Sequence, residues 1–127
     1  MASRTAHELR TQWGSAMREV TDIERPEHVE ITRTRGKITE KPGVLVNAAW
    51  WSAAIERFPV DSDKVQTIAS KQVRIDLRRT LNAAAAGIHT KITVFSDVEA
   101  IMVPRSWYEK VQQAGQVQET DGGPAAK

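Results

Sequence analysis

The stretches GVLVNAAWWSAAI (residues 43–55) and EAIMVPRSWYEKV (residues 99–111) decide how this chain is read, because they say the same thing twice. Each has three apolar residues in a row, a short polar or small break, an aromatic pair and a helix-like tail. The apolar triplets begin 57 residues apart, at Val44 and Ile101. A short apolar run that gives way to helical spacing predicts a buried strand feeding a helix. The first such helix runs from Ala48 to Arg57 and is stopped by Pro59. In the second, Pro104 is expected in the first helical turn and Ser106 to Gln113 continue it.

Working outward, Leu9, Trp13, Ala16, Met17 and Val20 recur at spacings of three and four. They predict a helix over Ser3 to Val20, capped by Ser3 or Thr5. VEITR (29–33) reads as a strand, and KITEKPG (37–43) as a charged connection with a Pro-Gly turn. In the second half Val65 to Ile68 predict a short extra strand. Ser70 is the expected N-cap of a helix carrying Val73, Leu77, Leu81 and Ala84-Ala85, with Gly87 ending it. TKITVF and VEAIMV flank a tight hairpin turn expected at Ser96-Asp97. The aromatic pairs are expected to seat the closing helices on the sheet, and Trp13 to lie in the core.

The halves match in order. Leu9-Arg10 aligns with Leu77-Arg78, Trp13 with Leu81, and Ile31-Thr32 with Ile92-Thr93. Val44-Leu45-Val46 aligns with Ile101-Met102-Val103, and Trp50-Trp51 with Trp107-Tyr108. A unit of about 50 residues buries too little surface to be stable alone, and two in one chain can complete a shared core. The expected layout is a first unit over 3–58, a linker over 59–66, a second unit over 67–114 and a mobile tail over 115–127.

Composition narrows the function. The 127 residues contain no cysteine, so disulfides and thiolate metal sites are excluded, and a reducing compartment is the expected one. MASRTAHELR lacks the apolar stretch of a signal peptide, and no run approaches a membrane span, so a cytoplasmic protein without a membrane partner is expected. Net charge is +2, divided evenly between the halves. Any nucleic-acid footprint is therefore a local patch such as RIDLRR or ITRTRGK. His7, His28 and His89 are isolated from one another and from any ligand pair. TRTRGK lacks the rest of a phosphate-cradling loop. The expectation is a protein that is not an enzyme and needs no cofactor or metal.

Ser70, Arg74, Leu77, Leu81, HTKIT (89–93), VEAIMVP (98–104) and Trp107-Tyr108 stand in an order that resembles the N-terminal domain of the Phd/YefM family of antitoxins. The resemblance covers about 67–114. Residues 3–57 resemble the same pattern more loosely through Leu9, Trp13, HVEITR (28–33) and GVLVNAAWW (43–51). Two departures stand out: the family's turn glycine is replaced around Asp97, and Ala6 falls at the family's Arg position in the first unit.

The resemblance implies an α+β fold of two tandem units, each a helix, a β-hairpin and a short helix, forming an intrachain pseudo-dimer. It implies a regulator that binds double-stranded promoter DNA near its own gene. In the family a disordered C-terminal segment neutralises a toxin; here only fourteen residues follow Gln113. Arg74 falls at the family's Arg position, with Arg78 one turn later and Arg79 and Lys71 widening the patch. In the first unit Arg10, Arg4 and Arg33, with Arg35, are the corresponding candidates. The competing expectation is a protein-interaction module that kept the fold without DNA contacts, its partner a toxin or a host factor and the gene of phage origin. The pseudo-dimer is expected as a monomer in solution, with a larger oligomer as the structural alternative.

Overall fold

The computed structural model describes the backbone of residues 1–122 and the side chains of residues 1–115. Six strands form one sheet, with the first and fourth along the chain at its edges and the third and sixth side by side at its centre. Along the chain the elements are β1 (Ala2–Thr5), α1 (Ala6–Thr11), α2 (Trp13–Thr21), β2 (Val29–Arg35), β3 (Ile38–Asn47) and α3 (Ala48–Arg57). A single 3-10 turn (Ser62–Lys64) follows. Then come β4 (Val65–Ala69), α4 (Ser70–Ile75), α5 (Leu77–Ala85), β5 (His89–Val94), β6 (Asp97–Pro104) and α6 (Arg105–Gly122). The fold is mixed α+β, and the order strand, helix, helix, strand, strand, helix occurs twice.

The apolar triplets are the middle of the sheet. β3 and β6 pair antiparallel, with Val44 opposite Val103, Leu45 opposite Met102 and Val46 opposite Ile101. Both faces of this pair are covered, which explains why the sequence there is a continuous apolar run instead of an alternation. Leu45 and Met102 point into a core with Leu9, Trp13, Val73, Leu77, Leu81 and Ile92 under α1, α2, α4 and α5. Val44, Val46, Ile101 and Val103 point the other way, under Trp51 and Tyr108 of α3 and α6. One row of paired residues crosses all six strands: Ala2, Val29, Leu45, Met102, Thr90 and Gln66.

Several sequence expectations are corrected. Ser3–Val20 is not one helix, because Ala2–Thr5 extends to pair parallel with β2 and the helix breaks at Gln12. Thr5 does cap α1: its hydroxyl accepts from the Glu8 amide at 3.0 Å, and its own amide donates to the Glu8 carboxylate at 2.8 Å. The Thr5 amide, with its hydroxyl beside it, holds the Glu8 carboxyl below its usual range. The Pro42-Gly43 turn is absent. Both residues lie inside β3, Pro42 at an irregularity where Ile31 pairs Gly43 but Arg33 pairs Glu40, a place where a missing amide is tolerated. The hairpin turns instead at Gly36-Lys37.

Ser70 is the first residue of α4 and not its cap, which is Ala69; the Ser70 hydroxyl accepts a 2.8 Å bond from the Trp13 indole. The second hairpin turns at Phe95-Ser96, one residue before the expected place. Pro104 ends β6 opposite Gly43 and precedes α6. Residues 59–66 include the 3-10 turn and the start of β4, so they are not a bare linker. The closing helix α6 is not short. The expected tail is helical as far as Gly122, and its last residues, 123–127, lie outside the described residues.

The helical match of the two halves is also shifted. The sequence alignment sets Leu9 against Leu77, 68 residues on, but Leu9 lies on α1 and Leu77 opens α5. The breaks at Gln12 and Asp76 are 64 residues apart, as are the helix starts at Ala6 and Ser70. The corresponding pairs are therefore Leu9 with Val73 and Arg10 with Arg74, one helical turn from the sequence alignment.

Candidate nucleic-acid interface

α1 and α4 come from different halves of the chain, and their basic side chains meet. Arg10, Thr11, Lys71, Arg74 and Ile75 line one open depression of about 550 Å³. A second depression of about 380 Å³ adjoins it through Lys71 and Arg74 and is walled by Trp13, Ala69, Ser70, Thr93, Val94 and Phe95. Among the described residues no carboxylate lines either one. Arg10, Lys71 and Arg74 are exposed, and among the described residues none of them forms an ion pair. A solvated guanidinium or ammonium with no internal partner keeps its whole charge for a phosphate.

The other candidates divide into two groups. Arg78 and Arg79 are exposed on α5 without ion-pair partners among the described residues, beyond the break at Asp76, whose side chain caps α5 through the Arg79 amide. They do not line either depression. Arg4 and Arg33 are committed internally. Arg4 grips both oxygens of Glu19 at 2.8 and 2.9 Å and also bonds Gln12. Arg33 donates to Glu40 at 2.8 Å and to Asn82 at 2.7 Å, and its side chain is only 12% exposed. The Arg33 bond holds the Glu40 carboxyl below its usual range. Arg35 shares Asn82 and Glu40 with it.

Sequence reasoning missed the partnership of Arg10 with Arg74, because its alignment set Ala6 against Arg74. The capping pair Thr5 and Glu8, three residues apart, marks the start of the first helix at Ala6 and was the signal for the correct register. It also missed Phe95, at the rim of the second depression.

The opposite face of the sheet carries the aromatic pairs, and they are structural. Trp51 and Tyr108 are buried, and each reaches a histidine of the other half: the Trp51 indole donates to His89 Nδ1 at 3.0 Å, and the Tyr108 hydroxyl lies 2.7 Å from His28 Nδ1. Trp50 and Trp107 meet edge to face at a centroid distance of 6.0 Å. Burial pushes His89 down to about 4 and lowers His28 as well. Burial also raises Tyr108. No group of histidine and acidic side chains among the described residues is arranged to hold a metal. No described helix is long and apolar enough to cross a membrane.

No family model, curated protein or solved structure matches this chain.

Proposed function

We propose that the chain is a sequence-specific DNA-binding regulator of antitoxin type, built from two tandem Phd/YefM-like units that form a pseudo-dimer within one chain. The repeated element order, the central β3–β6 pair and the equal 64-residue spacing of helix starts and helix breaks support the tandem reading. The observation that carries the function is the convergence of Arg10, Lys71 and Arg74 on one depression between α1 and α4 that no described carboxylate lines. Phosphates on one face of a duplex would meet cations from both units there. Arg78 and Arg79 would extend the contact on the second unit's side only.

The test is fluorescence-anisotropy binding to the DNA flanking the chain's own gene, at two salt concentrations and against a scrambled duplex. Affinity should fall steeply with salt, with a log–log slope of about −0.9 per phosphate neutralised. Selective binding whose slope drops by about one in Arg74→Ala supports the proposal. Equal binding to native and scrambled duplexes overturns sequence-specific regulation at that site.

A second reading draws on Arg4, Arg33 and Arg35 being tied to Glu19 and Glu40, which leaves Arg10 as the first unit's candidate contact without an ion pair among the described residues. On that reading the same fold holds a protein partner, such as a toxin, without DNA. It predicts no salt-sensitive DNA binding and a stable complex with the partner when the two are co-expressed.

A further inference from the structure

The β5–β6 hairpin turns on two residues, Phe95 and Ser96, with φ of 50° and 74°. Positive φ at both central positions is the signature of a type I′ turn, where Asn-Gly or Gly-Gly is the unstrained choice. The β2–β3 hairpin makes its two-residue turn with Gly36 at the first position, φ 61°. The turns differ in type, since Lys37 lacks the positive φ that Ser96 has, but both hold their first central residue at positive φ, a glycine in one hairpin and an aromatic in the other. Phe95 accepts backbone strain there, and it gains no burial in return, since it is 97% exposed. Neither turn chemistry nor packing calls for this side chain.

Its surroundings supply a reason. Phe95 walls the depression that Lys71 and Arg74 also line, and that depression opens onto the one containing Arg10. An exposed aromatic beside cations that form no ion pair among the described residues, with no described carboxylate lining the space between, matches two needs of a duplex contact: charge for the backbone and an apolar surface for a thymine methyl.

We infer that Phe95 makes an apolar contact with a thymine methyl in the major groove of duplex DNA whose phosphates are held by Lys71 and Arg74. This rests on the DNA-binding reading above and adds a residue that reads sequence from one hairpin only. Gly36 presents no side chain at the matching turn, so the contact is one-sided. The preferred DNA site is then unequal in its two halves.

The experiment selects duplexes from a random-sequence pool with the full chain, then measures anisotropy on the recovered duplex and on an unselected one. Phe95→Gly removes the ring and suits the positive φ, so its thermal midpoint should equal or exceed that of the original chain. The variant should bind the recovered duplex about tenfold more weakly and the unselected duplex within about twofold. Phe95→Trp should keep the preference. Arg74→Ala should weaken both duplexes. If Phe95→Gly binds the recovered duplex like the original chain while Arg74→Ala still weakens it, the base contact is wrong and the DNA reading stands. If the chain enriches no sequence and Arg74→Ala changes nothing, both fail.

Discussion

The indole of Trp51 donates a hydrogen bond to Nδ1 of His89, 38 residues away and on the far side of the central strand pair. An indole N–H can only donate, so the acceptor nitrogen must be unprotonated and His89 carries its proton on Nε2. α3 is thereby fastened to β5. Trp51→Phe keeps one aromatic ring but loses the fused five-membered ring with its N–H, and leaves a buried acceptor without its donor. The expected loss is about 2 kcal/mol, read as a lower urea midpoint at an unchanged denaturant slope. A loss under about 0.5 kcal/mol would mean that the bond adds little beyond packing.

Burial of this histidine also makes stability depend on pH. Folded His89 resists protonation until about pH 4, whereas an unfolded histidine takes its proton near 6.5. Between those values the unfolded state binds more protons, so stability rises with pH. The contribution is complete above about 6.5 and is lost as pH falls toward 4. His28, lowered by burial in the same direction, adds to the slope. Urea midpoints at pH 7.5 and 4.5 should differ clearly, and by less in His89→Gln, which retains an acceptor but no titrating ring. An equal drop in both proteins would assign the acid sensitivity elsewhere.

Gly43 is required by space. A Cβ there would sit 2.8 Å from the Val103 carbonyl oxygen and 3.1 Å from the Ala84 methyl, and neither backbone nor core can move aside cheaply. Gly43→Ala should cost about 3 kcal/mol. At Gly36 nothing lies within 4 Å, and only the positive φ resists a side chain. Gly36→Ala should cost about 1 kcal/mol. Thermal or urea unfolding of the pair decides the order, and a reversal would place the tight contact in the wrong strand.

Free and committed cations should behave oppositely. Arg10→Ala and Arg74→Ala should leave the unfolding midpoint within about 0.5 kcal/mol of the original while reducing the salt slope of DNA binding. Arg33→Ala removes a largely buried side chain from Glu40 and Asn82, both of which remain open to solvent. It should cost about 1 kcal/mol of stability and change DNA affinity by less than about twofold. Were Arg33→Ala the more damaging to DNA binding, the interface would lie along the β2–β3 hairpin.

What the sequence revealed, and what it hid, follows from how specific each signal was. VLV and IMV are buried on both faces, and three consecutive apolar residues ended by a polar break suit few places besides the middle of a covered sheet. Ala48–Arg57 was legible to the residue because Asn47 caps it, accepting from the Ala49 and Trp50 amides, and Pro59 lies just beyond its end. Ala2–Thr5 was not legible, since ASRT carries no pattern of its own and becomes a strand only through the edge that β2 offers. The helical register slipped because apolar residues four apart overlay themselves after one turn, so Leu9 and Trp13 fit Leu77 and Leu81 as well as Val73 and Leu77. That slip hid the meeting of Arg10 with Arg74. Lys71 and Arg74 were recognisable as basic candidates. Arg4 and Arg33 look equally free in the sequence, because only the fold brings Glu19 and Glu40 beside them.

The seam at Leu45 and Met102 has a consequence for how such a molecule can change over generations. In an assembly of identical subunits, every mutation arrives twice and must suit both positions at once. Here the two sides of the seam are separate codons of one gene. A new residue at one hairpin tip, on one helix face or beneath one tryptophan is tried singly, against a partner that stays as it was. Phe95 at one hairpin tip and Gly36 at the other, and a Tyr108–His28 contact on one side where Trp51 donates to His89 on the other, are differences that a single chain permits, and dilution cannot pull the two sides of its sheet apart.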